Sequence, residues 1–211
     1  MPEIPIGPVI ALSLCVGHAS SSGFSTIELL AALGIIGVVA AIAVPSTTRT
    51  MADLRLQGDA RNLHNAVTLA RMRAAARYTR ERIFVDLTAT SYQLQFWDTN
   101  TSSWQNERDS DALGFGVGFG YGAIATPPPD TQSAIGQAPA CLNNDGSPIS
   151  HTACIVFNSR GIPIDAATGN PTGDSALYVT DNAMTFGVTL SATPLIRLWS
   201  TQANVARWAH R

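Results

Sequence analysis

Three spacings of apolar residues divide this chain. Residues 24–44 form one apolar run in which Ser25, Thr26 and Glu28 are the only polar side chains. Residues 53–78 carry apolar side chains at intervals of three and four, and from Glu81 onward the interval falls to two. The first run is 21 residues long. As a helix it rises about 31 Å at roughly 1.5 Å per residue, enough to cross a hydrocarbon core of about 30 Å. Pro45 closes the run, at a position where it can kink a helix without breaking it. In the second run Leu56, Ala60, Leu63, Val67, Ala70, Ala74 and Tyr78 make one apolar stripe, with Arg55, Asp59, Arg61, Arg71, Arg73 and Arg77 largely off it. The expected element is an amphipathic continuation of the same helix, its stripe free to pack on a globular head. Its arginines read as a solvated face, with a binding surface as the alternative.

Past the helix, Arg82–Leu87 and Tyr92–Trp97 alternate as strands, and Asp98-Thr99-Asn100-Thr101 turns the chain back towards Trp104. Gly114 to Gly122 alternates strictly, with Phe115, Val117, Phe119 and Tyr121 between glycines, which predicts a strand with one bare face and one aromatic face. The segment fails the dinucleotide fingerprint, because Tyr121 stands where a third glycine belongs. Residues 124–140, with Pro127-Pro128-Pro129, read as a linker or surface excursion and not as a second domain.

Glu28 changes how the first run is read. A carboxylate at membrane depth costs roughly 2.5–3.5 kcal/mol on insertion scales, so it needs a cation or a shallow position. No Lys or Arg precedes Arg49. The nearest available cation is an α-amine made by cleavage after Gly23, which would sit on Phe24. Composition adds little to this. Of 211 residues 13% are charged, the formal net charge is −2, and all thirteen cations are Arg. The missing Lys reads as genome composition. The balance gives no polyanion signal, so any nucleic-acid contact must be local. About 167 residues follow the apolar run, the size of one ordinary domain.

Gly23, then Phe24, then Glu28 as the fifth residue after the cut, then an apolar helix ending at Pro45: this pattern resembles the class III signal of type IV prepilins and type II secretion pseudopilins. The alternative is a plain single-span anchor that happens to carry Glu28. The resemblance implies cleavage by a prepilin peptidase between Gly23 and Phe24, N-methylation of Phe24, and pairing of Glu28 with the Phe24 amine of a neighbouring subunit during assembly. Residues 1–23 would then be the leader. Residues 1–22 hold no Lys or Arg and include the apolar piece Val9–Val16, unlike the short basic leaders of the family. We read this as an overlong gene start, with the leader proper beginning near Val16. Arg49, Arg55 and Arg61 follow the span, so the positive-inside rule would put that end in the cytoplasm. By the resemblance, the prepilin signal outranks the rule and would place the head in the periplasm.

Cys15 leaves with the leader, so Cys141 and Cys154 remain as an even pair in an exported domain, where disulfides persist. A bridge between them closes a loop of about 14 residues, worth roughly 3 kcal/mol in the chain-entropy model. The enclosed Asn143-Asn144-Asp145-Gly146-Ser147-Pro148 is turn chemistry. Two free or metal-binding thiols are the alternative.

Residues 154–163, Cys-Ile-Val-Phe-Asn-Ser-Arg-Gly-Ile-Pro, resemble the GspH/FimT-type minor pilin head, in which a strand ending in Phe leads into a tight turn. By that resemblance strands at 176–179, 184–190 and 195–199 would complete the sheet. The whole is then an α+β, pilin-like protein: residues 24–44 the membrane or filament-core helix, 45–80 its periplasmic continuation, and 81–211 an antiparallel β-sheet head. Asp165 to Asn170 is similar to acidic calcium loops of major pseudopilins, but its ligand spacing favours a simple turn.

Neither metal-binding nor nucleophile motifs surround His18, His64, His151 or His210, and no P-loop or paired-carboxylate signature occurs, so no enzyme and no cofactor is expected. Two functions remain. The first is a minor pseudopilin or pilin in the inner membrane, whose partners are other subunits of its filament and the prepilin peptidase. The second is DNA capture through the tail, where Arg197, Arg207, Trp208 and Arg211 offer guanidiniums for phosphates and an aromatic face for unpaired bases. The tail departs from the Gly-Arg-x-Arg arrangement of DNA-binding family members, since Ala206 precedes Arg207 and Arg211 lies four residues on. A packed or solvated terminus is the alternative there, and the pseudopilin is preferred.

Overall fold

The computed structural model describes Gly23 and residues 25–193, 195–203 and 205–211. The chain divides after Pro45 into two units, residues 1–45 and 46–211. Helix α1 (Thr26–Arg77) carries the backbone from the first into the second and stays helical through position 45. It starts on the Ser25 carbonyl, which accepts from the amides of Glu28 at 3.0 Å and Leu29 at 3.1 Å.

Within the second unit the expected stripe is the buried one. Leu56, Ala60, Leu63, Val67, Ala70 and Ala74 are each fully buried. Tyr78 is the exception. The helix ends at Arg77, Tyr78 takes a left-handed φ of 55°, and its ring is 84% exposed. A left-handed residue just past the last helical one is a common way to end a helix, and here it turns the seventh member of the stripe into solvent.

Among the described residues eleven strands follow, and every ladder is antiparallel. The first sheet contains β1 (Glu81–Asp86), β2 (Ser91–Asp98), β3 (Ser103–Asn106), β4 (Asp111–Ala112), β6 (Thr152–Phe157) and β7 (Pro163–Ile164). Its order is β3-β2-β1-β6-β7, with β4 also paired to β2. The second contains β5 (Gly118–Phe119), β8 (Ser175–Thr180), β9 (Met184–Leu190), β10 (Ile196–Gln202) and β11 (Val205–His210), in the order β11-β10-β9-β8-β5. The late strands therefore build a second sheet instead of completing the first. One core joins the α1 stripe to Ile83, Val85, Leu94, Ile155 and Phe157 of the first sheet and to Leu177, Val179, Phe186, Val188 and Leu198 of the second. The architecture is α+β, a long N-terminal helix packed on antiparallel sheets.

The glycine-rich stretch is not the regular strand that its alternation predicts. Only Gly118 and Phe119 pair, with Thr180 and Val179. Gly116 and Gly122 take φ values of 82° and 58°, which a strand does not contain. The Gly114 amide donates to Asp59 Oδ2 at 2.8 Å and the Val117 amide to the Gly114 carbonyl at 3.0 Å, so the start of the segment is a turn tied to the helix. Phe115 points out at 93% exposure while Val117 is buried, and no aromatic face forms. Two of the five glycines, Gly116 and Gly122, serve left-handed turns, so the alternation does not make one regular strand.

The turn after β6 shows why a glycine follows that strand. Asn158 Oδ1 accepts from the amides of Arg160 and Ile162, at 2.9 and 3.0 Å. Gly161 takes φ 70°, and a Cβ there would lie 3.1 Å from the Arg71 carbonyl oxygen of α1. Asp165 likewise closes a turn of its own: Oδ1 accepts from the amides of Ala167 and Thr168 and from the Thr168 hydroxyl.

Candidate functional site

The first half of α1 is apolar on every side. Ile27, Leu29, Leu30, Leu33, Ile35, Ile36, Val38, Val39 and Ile42 are each 56–72% exposed. Burying one such side chain is worth roughly 1.5–3 kcal/mol, so the nine together match or exceed the whole stability of a typical domain, about 5–15 kcal/mol. A segment of this composition belongs in lipid or against other apolar helices, and one N-terminal helix is long and apolar enough to span a membrane. Glu28 is the one charged side chain between Thr26 and Thr48 and sits in the first turn, where the helix macrodipole favours an anion. Gly23 is exposed five positions upstream. Phe24, the expected new N-terminus and methylation site, lies outside the described residues, as do the leader residues 1–22.

Cys141 and Cys154 form a disulfide, with 4.9 Å between their Cα atoms and both side chains buried. The bridge ties β6 to the loop before it. Around it Val156 and Ile164 pack with Phe84, Trp104, Ile149 and Ala166 on the face of the first sheet turned away from α1. Inside the loop the Asn143 amide donates to the Ser147 carbonyl at 2.8 Å, and Gly146 takes a left-handed φ of 86°.

The tail is a strand. β11 pairs with β10, setting Trp199 beside His210 and Ser200 beside Ala209. Strand alternation then separates the proposed contact residues. Arg207 and Arg211 lie on the Ser200 side, both exposed, along a recess of about 210 Å³ that Met184, Val205 and Ala209 also line. Arg211 Nε donates to Ser200 Oγ at 2.8 Å. Trp208 lies on the opposite side. Its Nε1 donates to the Thr126 carbonyl at 2.8 Å, and its ring packs 5.9 Å from Tyr178. The two rings meet across Gly187, where a Cβ would fall 2.7 Å from Tyr178 Cε1. Arg197 sits two residues before Trp199 on β10, on that same side, beside a separate recess shared with Asp130 and Thr189. The four tail residues are thus not one surface.

Two charged groupings escaped the sequence reading. At the C-terminal end of α1, Arg73 and Arg77 both pair with Glu107, and Arg77 also reaches Glu81 at 3.3 Å. Glu81 is 1% exposed and its Oε2 has no hydrogen-bond partner. Its carboxyl is pushed up to about 7, first by burial and then by Glu107, against the pull of Arg77 and Arg73. On the outer face of the first sheet, Arg82 is 4% exposed and lies 4.1 Å from the centre of the Trp104 ring. The spacing Arg80-x-Arg82 ahead of an alternating strand was visible, but the partners are 13 to 60 residues away. No known protein family, curated protein or solved structure matches the chain.

Proposed function

We propose that this chain is a minor pseudopilin, a structural subunit of a type II secretion pseudopilus or a related type IV pilus filament. A prepilin peptidase cuts it between Gly23 and Phe24, and it acts at or near the filament tip in assembly and protein secretion. The observation that carries the proposal is the division of α1: an all-round apolar, exposed first half with one carboxylate in its first turn, followed by a half whose single stripe is buried by a β-rich head. The apolar half suits the inner membrane before assembly and a bundle of like helices after it. Glu28, costly in either place, gains a partner in the Phe24 amine of the neighbouring subunit. The disulfide fits an oxidising periplasm.

Glu28→Ala tests assembly in the native host. The variant should reach the membrane at normal level and disappear from the sheared filament fraction. Equal recovery in filaments would remove Glu28 from the mechanism.

A second reading, a FimT-type minor pilin that captures DNA, is favoured by one observation: Arg207 and Arg211 share an exposed side of an edge strand. Two cations give little counterion release, and the Trp208 indole is already engaged. Arg207→Gln with Arg211→Gln should abolish DNA retention and spare filaments if this reading holds.

A further inference from the structure

The outer face of the first sheet carries a recess of about 110 Å³ beneath the disulfide-closed loop. Antiparallel register brings its walls together: Arg82 stands beside Gln95, and Trp97 beside Trp104. Arg82 Nε donates to Gln95 Oε1 at 2.7 Å, and Nη1 donates to the Leu142 carbonyl at 2.5 Å. A guanidinium has five N–H donors, so three of them remain. Arg80 borders the same recess, its guanidinium 4.6 Å from the Trp97 ring centre and 5.8 Å from that of Trp104.

Neither arginine takes part in an ion pair among the described residues. A buried cation loses several kcal/mol of hydration. Neutral carbonyls and the ring of Trp104 restore part of it, since a desolvated cation–π contact is worth about 2 kcal/mol. The remaining deficit shows as a guanidinium pulled down to about 10 by burial.

The rest of the lining offers donors. Asn144 Oδ1 accepts from the Trp104 amide at 3.0 Å and Asn143 Oδ1 from the Asp145 amide at 3.2 Å. Each of these oxygens keeps a second lone pair, and the NH₂ group of each asparagine has no hydrogen-bond partner among the described residues and can donate to a ligand.

We propose that this recess is an oxyanion site that takes one carboxylate group. Size sets the class. One water needs about 10–15 Å³ and a drug-sized ligand about 300–1,000 Å³, so the recess holds a carboxylate with a little water and excludes a nucleotide. A planar carboxylate also matches the fork of a guanidinium, and the Arg82 guanidinium lies 4.1 Å from the centre of the Trp104 ring. The group is supplied by an Asp or Glu side chain of a polypeptide or by a free small acid. The site lies in the globular unit, and its chemistry is the same whether or not the chain enters a filament.

The test uses the full chain in detergent micelles at constant ionic strength, following tryptophan emission and thermal unfolding. The probes are acetate, sulfate, inorganic phosphate, and a blocked glycine pentapeptide with one central glutamate. Acetate should give a saturable response with a Kd on the order of 1 mM, and sulfate and phosphate a weaker one. A tighter response to the peptide assigns the polypeptide source; an equal one assigns the free acid. Arg80→Gln, at an exposed position, should fold normally and weaken acetate binding about tenfold. Arg82→Gln should abolish it. No saturable response, binding of sulfate or phosphate without acetate, or an unchanged response in Arg80→Gln would overturn the proposal.

Discussion

The two halves of α1 obey one geometry and end in opposite environments. Between Ile27 and Ile42 large apolar side chains occupy every side of the helix, and all those named above are exposed. Between Leu56 and Ala74 one stripe of apolar side chains is fully buried, with Leu69 half-buried and Met72 exposed off it. The first half, with Gly34, Gly37 and its Ile and Val residues, is the poorer helix former, so intrinsic propensity does not set the environments and the difference lies in patterning. A stripe commits a helix to one packing surface within its own chain, whereas an unbroken apolar perimeter commits it to surroundings the chain does not supply.

Truncation separates the halves most strongly. Leu63→Ala in the buried stripe should cost about 2–5 kcal/mol, lowering Tm by about 2–4 °C per kcal/mol for a domain of this size. The same change at Leu33 should leave the head's Tm within the small range of surface substitutions, about 0.5 kcal/mol. Equal losses measured by thermal unfolding in micelles would erase the distinction. Opening the Cys141–Cys154 bridge by double serine substitution should destabilise the head by roughly 3 kcal/mol without altering membrane attachment. Denaturant midpoints and carbonate extraction read the two effects separately.

A smaller, pH-dependent difference belongs to the junction of helix and sheet. Below pH 4.5, the ordinary value for a Glu, both the folded and unfolded chain hold the Glu81 proton. Between 4.5 and about 7 only the folded chain keeps it, so stability falls as pH rises through that window. Urea midpoints taken across it should slope downward in the native protein and flatten in Glu81→Gln. An identical slope in the variant would assign the effect elsewhere. The smallest change is expected at the sheet edge, where Arg207→Gln should shift stability by no more than about 0.5 kcal/mol, as read by the same urea midpoints.

Local pattern was enough to read much of this fold. Six of the seven stripe residues are buried as the three-and-four spacing requires. The strands at Arg82 and Tyr92 lie within a few residues of their alternating runs, and those at Cys154 and Met184 within a few residues of where the family resemblance put them. Failures came where a partner distant in sequence decides. The division into two sheets depends on which strands meet, and the 114–122 segment is interrupted by left-handed turns at Gly116 and Gly122. In the tail, apolar and polar positions alternate weakly, and β11 exists because β10 offers an edge. Trp208 was legible as an aromatic face, but the Thr126 carbonyl that accepts its indole hydrogen bond lies 82 residues away. Arg82 fails for the same reason, its Leu142 acceptor being brought near by the disulfide loop.

The central claim is that the apolar half of α1 is a processed assembly segment and not a simple anchor. N-terminal sequencing and intact mass of the protein from its native membrane test this directly. The account predicts a mature chain that begins at Phe24 with a methylated α-amine. A chain that retains residues 1–23, or is cut near Ala19 by an ordinary signal peptidase, would contradict it.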